Sequence, residues 1–115
     1  IVANNMREVG IAASNKFKVD HAYANGVKIN DYYLVSKNSK LALMTAQDSF
    51  HIFTKKIGKY PYKEIDITEG LLGKDTGGME YPGLIMIDAS GFLQKKHPLD
   101  RYNELTEDVS HEVGH

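Results

Sequence analysis

The sequence predicts an α+β fold, a mixed β-sheet with packed helices. Three observations carry this. Several short stretches have strand length and strand-like apolar patterning. Two longer segments switch to a helical period. The strands come early and in hairpin-like spacing, with the helices interspersed. A chain of 115 residues suits one domain, and 42% hydrophobic against 25% charged residues is the balance of a chain able to bury a modest core.

In "REVGIAAS", Val9, Ile11 and Ala13 alternate, which predicts a first strand with one buried face. A polar stretch follows and ends in Asn25-Gly26, a turn dipeptide. Val27 and Ile29 then alternate and Tyr32 to Val35 form an apolar, aromatic run, so a second strand pairs with the first as a long hairpin. In "NSKLALMTAQDSFHIFTKKIGKYP" the period changes. Leu43, Ala46, Phe50, Phe53 and Ile57 fall on one helical face, with Asn38 or Ser39 as the capping residue. Gly58 suits the helix stop and Pro61 blocks continuation. "YKEIDIT" predicts a third strand through Ile65 and Ile67, "GLLGKDTGG" a loop, and "GLIMID" a strand covered on both faces. "ASGFLQKKHPLD" reads as loop. From about Arg101 a second helix carries the stripe Leu105, Val109 and Val113.

Composition excludes several classes of function. Fourteen basic against fifteen acidic residues leave a formal net charge of −1, which is no electrostatic footprint for nucleic acid. Lys55-Lys56 and Lys95-Lys96 read as solvated surface. The absence of cysteine removes disulfides and thiolate ligands. No apolar run has transmembrane length, and no signal segment opens the sequence. The first residue is Ile1 and the last is His115, so residues 1–115 are expected to be one partial domain cut from a longer protein, whose localisation stays open.

The last five residues, HEVGH, fit H-E-x-x-H. On a helix, residues four apart lie one above the other, so His111 and His115 present two imidazoles to one point, as a zinc ion requires. Glu112 is offset by one residue, which suits a general base acting on a zinc-activated water. The competing reading is a surface helix end with two histidines by accident. A third ligand would have to come from His21, His51, His97 or a carboxylate, and no spacing argument selects one.

Upstream lies "DTGGMEYPGLIMID". The plain reading makes Gly77-Gly78 a turn, Met79 core filler and Glu80 a solvated carboxylate. The sharper one uses what glycine permits. A peptide backbone can approach Gly77 and Gly78 closely, pair with an exposed strand edge, and place a free amine on Glu80.

"KYPYKEIDI", "GGMEYPGLIMI" and "HEVGH", in this order and spacing, resemble the aminopeptidase N family of zinc metallopeptidases, gluzincins with a thermolysin-like catalytic domain. "NMREVGIAASNKF" and "GVKINDYYLV" are similar to that domain's opening strands. The family signature is an exopeptidase motif, GAMEN, followed by H-E-x-x-H. The resemblance implies zinc ligation by His111 and His115, Glu112 as general base, and Gly77, Gly78, Met79 and Glu80 as the substrate-binding motif, with Glu80 on the α-amino group of a peptide. Two departures stand out: Gly78 replaces alanine, a mild change adding flexibility, and Tyr81 replaces asparagine. The family's third zinc ligand, a glutamate on a later helix, and its oxyanion-stabilising tyrosine have no counterpart here.

These readings imply the N-terminal part of the catalytic domain of a zinc aminopeptidase that hydrolyses N-terminal residues from peptides. The chain alone is expected to hold Zn2+ weakly or not at all and to be inactive. Exposure of Val109 and Val113 is expected to leave either a disordered last turn or self-association. Two alternatives remain: a non-catalytic peptide-binding module, and an endopeptidase-type zincin. A requirement for a free substrate amine separates the last from an aminopeptidase.

Overall fold

A computed structural model describes residues 6–34, 38–73, 76–89 and 98–115, with side chains from Leu105 onward in the last of these. The fold is α+β. Among the described residues, one five-stranded mixed sheet has the order β1-β2-β3-β5-β4, and two helices pack on it. The elements in chain order are β1 (Lys18–Ala24), β2 (Val27–Tyr33), α1 (Ser39–Lys56), β3 (Glu64–Gly70), β4 (Gly78–Tyr81), β5 (Leu84–Asp88) and α2 (Pro98–Gly114). Among the described residues, no helix is long and apolar enough to cross a membrane.

The Asn25-Gly26 turn forms as expected, with both residues at positive φ, and it closes the β1–β2 hairpin from Ala24 opposite Val27 to Lys18 opposite Tyr33. The first strand is not the one the alternation predicts. Val9 and Ile11 are 60% and 73% exposed and belong to no strand. Their segment instead lies over the side chains of Tyr81 and Leu84 at the β4–β5 turn, where a Cβ added to Gly10 would come within 2.8 Å of Tyr81 Cδ2. The pairing strand is Lys18–Ala24, mostly exposed, whose Ala22 and Ala24 pack into the core.

The chain then crosses through α1 to β3, which runs parallel to β2, with Ile29 beside Ile65. A parallel neighbour requires a crossover of this kind, because a tight turn cannot reverse direction twice. β3 and β5 are parallel as well, with Ile67 beside Ile85, and β4 returns antiparallel along β5 as the sheet's edge. Ile29, Ile65, Ile67, Ile85 and Ile87 face the helices and pack with Ala42, Leu43, Ala46 and Phe50 of α1 and Leu105 and Val109 of α2. β5 is fully covered only on that side, since Leu84 and Met86 on the other are half-buried.

Both helices keep their expected stripes, with differences at the ends. Asn38 occupies the capping position, but its side chain makes no capping bond; its carbonyl accepts from the Ala42 N–H at 3.0 Å. The Ser39 hydroxyl turns instead to Asp20 at 3.1 Å. Gly58 takes positive φ just past the end of α1, as expected, while Ile57 leaves the stripe and is exposed. In α2, Val109 is 0% exposed and Val113 packs against the core, so the exposed stripe expected to drive self-association is absent there. The helix begins at Pro98, three residues before the expected start, and the rest of the expected loop, residues 90–97, lies outside the described residues.

One end of the sheet buries carboxylates. Asp31 and Glu69 are both inside, and burial pushes the Asp31 carboxyl from 3.8 up to about 7. The Ser39 hydroxyl opposes the shift, and the nearby charges of Glu69 and Asp20 add to it. A carboxyl raised in this way favours the folded state in its protonated form, so its contribution is fullest below about pH 4 and is lost as pH rises toward about 7. Asp31→Asn is expected to remove this loss. Urea unfolding should show the variant's stability relative to the parent rising by on the order of 4 kcal/mol between pH 4 and pH 8.

Candidate active site

β4 and α2 meet through two glycines. A Cβ on Gly77 would come within 2.7 Å of Asp108 Oδ1, and one on Gly78 within 2.5 Å of Glu112 Cγ. Asp108 and Glu112 are four apart on α2, so they sit one above the other, Asp108 against Gly77 just before the strand and Glu112 against Gly78, its first residue. Gly78 therefore does more than loosen the backbone. It leaves the space that the Glu112 side chain fills, and an alanine at this position would force that side chain to move.

Alternation along β4 sorts the motif by face. Gly78 and Glu80 lie on the side of α2, opposite Ile87 and Ile85. Met79 lies on the other side, opposite Met86 and partly exposed, so it is neither core filler nor part of the group around Glu112. Tyr81 shares the face of Met79 and packs on Gly10. β4 is an edge strand, so its outer backbone groups can pair with an extended peptide, as the sequence suggests.

On α2, the His115 and His111 Nε2 atoms are 3.0 Å apart, with the rings edge to face at a centroid distance of 4.7 Å. Both histidines are exposed, while Glu112 between them is buried at 8% exposure. A metal ion with ~2.0–2.1 Å bonds to both nitrogens would hold them ~3.3 Å apart at a tetrahedral angle, so the pair fits zinc with an opening of a few tenths of an ångström. Glu80, Glu112 and His115 each offer a ligand atom within 4.8 Å of the others. That group shares His115 with the motif but replaces His111 by carboxylates. The two sets overlap at one corner, and the motif pair is the better suited to zinc because imidazole is its commoner ligand. His21 and His51 lie on β1 and α1 and join neither set, and His97 lies outside the described residues.

The electrostatics follow from packing. Burial raises the Glu112 carboxyl above its ordinary value, Glu80 and Asp108 push it further, and His111 and His115 oppose the shift. Its Oε2 is buried and has no hydrogen-bond partner. A carboxylate that is desolvated, unpaired on one oxygen and adjacent to two imidazoles is placed to accept a proton. Sequence reasoning missed Asp108, although its spacing of four from Glu112 was a usable signal. It also missed the aromatic wall of Phe53, Tyr60 and Tyr62 beside the group.

No family model matches the chain, and no curated protein matches it.

The glycine–carboxylate packing has a direct test. Gly78→Ala is expected to destabilise the fold by ~1–3 kcal/mol, the usual cost of overpacking. In a Glu112→Ala background the same substitution should cost much less, because the clashing side chain is gone. Denaturant midpoints of the four proteins in the cycle measure the coupling, and purely additive effects would contradict the contact.

Proposed function

We propose that this chain carries the metal-binding and amine-binding residues of a zinc-dependent aminopeptidase, an enzyme that removes N-terminal residues from peptides. The observation that supports this best is the convergence of the His111 and His115 nitrogens at 3.0 Å beside the buried Glu112, against a strand that carries Glu80. The linked motifs GGMEY and HEVGH point the same way.

In this reading His111 and His115 hold the ion. Zinc bound there supplies Lewis acidity, polarising a carbonyl and bringing a water's pKa to ~7. Glu112 accepts the proton of the attacking water and returns it to the leaving amine. The edge of β4 holds the peptide extended, and Glu80 binds its free α-ammonium group, which sets the point of cleavage one residue from the end. The resemblance also implies a glutamate ligand and an oxyanion-stabilising tyrosine beyond these residues. Two exposed imidazoles by themselves make a weak site, so residues 1–115 are expected to bind zinc weakly and not to turn over peptides.

Elemental analysis and zinc titration test the assignment. His111→Ala and His115→Ala should each weaken zinc binding by roughly tenfold or more, while Glu112→Gln should leave it within about threefold. Zinc binding that ignores His111 but is lost in Glu112→Gln would move the metal onto the carboxylate set. Zinc binding indifferent to both histidines would remove the basis of the proposal. Tight one-to-one zinc with chelator-sensitive hydrolysis would overturn the expected inactivity of the chain.

A further inference from the structure

The start of α1 is held without a local side-chain cap. The Asn38 side chain makes no capping bond, and Ser39, the first residue of the helix, is 2% exposed and turns toward acids from three strands. Asp20 on β1 lies directly opposite Asp31 on β2, and Glu69 stands near the end of β3. The Ser39 hydroxyl donates to Asp20 at 3.1 Å and is within hydrogen-bond reach of Asp31 as well. The Tyr33 hydroxyl also donates to Asp20, and Glu69 accepts from the Leu34 N–H at 3.3 Å. Lys18 on β1 and Lys40 in the first turn of α1 are exposed. The charges that act on Asp31 are those of Glu69 and Asp20, both acidic.

A serine hydroxyl has one proton to give. With that proton on Asp20, only the Ser39 oxygen is left for Asp31, and an oxygen lone pair suits a carboxyl that carries its own proton. The bonds then run from the Asp31 O–H to Ser39 Oγ and from the Ser39 O–H to Asp20, which ties the helix to β1 and β2 together. We propose that this is a proton-operated clamp: protonated Asp31 docks the first turn of α1 on the sheet through Ser39, and loss of the proton releases that turn. The step is an ionisation in which the Asp31 proton goes to solvent. Ionised Asp31 competes with Asp20 for the one serine proton, so one of the two ties is lost, and it repels Asp20 and Glu69. Burial pushes the Asp31 carboxyl up to about 7, which sets the change near neutral pH. The rival occupant is a divalent cation. Among the described residues Asp20, Asp31 and Glu69 do not converge on one point as Glu80, Glu112 and His115 do, which favours the proton.

Amide hydrogen exchange of the full chain, followed residue by residue against pH, tests this. After division by each amide's intrinsic rate, the opening of residues 42–45 is expected to increase roughly tenfold or more between pH 5 and pH 7 and to level off above, because the open turn releases the proton. At each pH these amides should open more readily than those of β3, since the turn comes away without unfolding the sheet. Asp31→Asn, whose amide donates to Ser39 at every pH, should keep the turn closed and flatten the profile. Ser39→Ala should leave the turn open already at pH 5. A pH-independent opening of residues 42–45 in the parent chain would overturn the clamp. So would opening of the turn and of β3 to the same extent at every pH, because Asp31 would then act only through the whole fold. Full protection of the turn in Ser39→Ala at pH 5 would remove the bridge. Closure of the turn at pH 8 by Ca2+ would overturn the proton in favour of a cation.

Discussion

The contact that organises this molecule is the close approach of α2 to the edge strand β4. Two residues without side chains, Gly77 and Gly78, let Asp108 and Glu112 lie directly on the strand's backbone. A helix normally stands off a sheet by the depth of the intervening side chains. Removing one layer of Cβ atoms lets a carboxylate occupy the gap. Glu112 therefore comes to be buried within reach of Glu80 and His115 while the imidazoles of α2 remain exposed. Among the described residues β4 is the last strand of the sheet, so this carboxylate lies beside an edge strand.

Burying carboxylates has a cost, and Asp31 and Glu112 bear it differently. Asp31 and Glu112 are both pushed up mainly by burial, yet their surroundings differ. Asp31 sits at the end of the sheet beside a serine and two further acids, where protonation relieves the strain. Glu112 sits beside two histidines that pull it back toward the ionised form. One arrangement suits a structural acid and the other suits a proton acceptor near a cation. An aromatic row from Phe50 to Tyr62 borders the second of these, so charge and apolar surface meet there.

Much of the architecture was legible in the sequence because periodicity reports burial. The stripes of both helices, the strands through Ile29, Ile65 and Ile85, and the Asn25-Gly26 turn are each one-face or one-turn signals. The first strand was not legible, for a physical reason. An edge strand with one neighbour needs little apolar surface, so Lys18–Ala24 carries lysine, aspartate and histidine where alternation would be sought. Val9 and Ile11 supplied the alternation without the burial. The missing side-chain cap of α1 has a similar cause: Ser39 has a better partner in Asp20, which lies nineteen residues earlier and is invisible to local rules. At the site, His111, Glu112 and His115 were readable from helical spacing, and Glu80 from its motif. Met79 was assigned by motif alone, and strand alternation takes it to the other face. The steric role of Gly78 depends on which helix crosses the strand, and no local pattern carries that.

The central claim is that the end of α2 forms a two-imidazole zinc site over a buried carboxylate. Long-range nitrogen–proton NMR spectra of the histidine rings, recorded during zinc titration, test it most directly. The Nε2 resonances of His111 and His115 should shift together, while those of His21, His51 and His97 stay in place. Shifts confined to other histidines, or a response of His115 without His111, would contradict it.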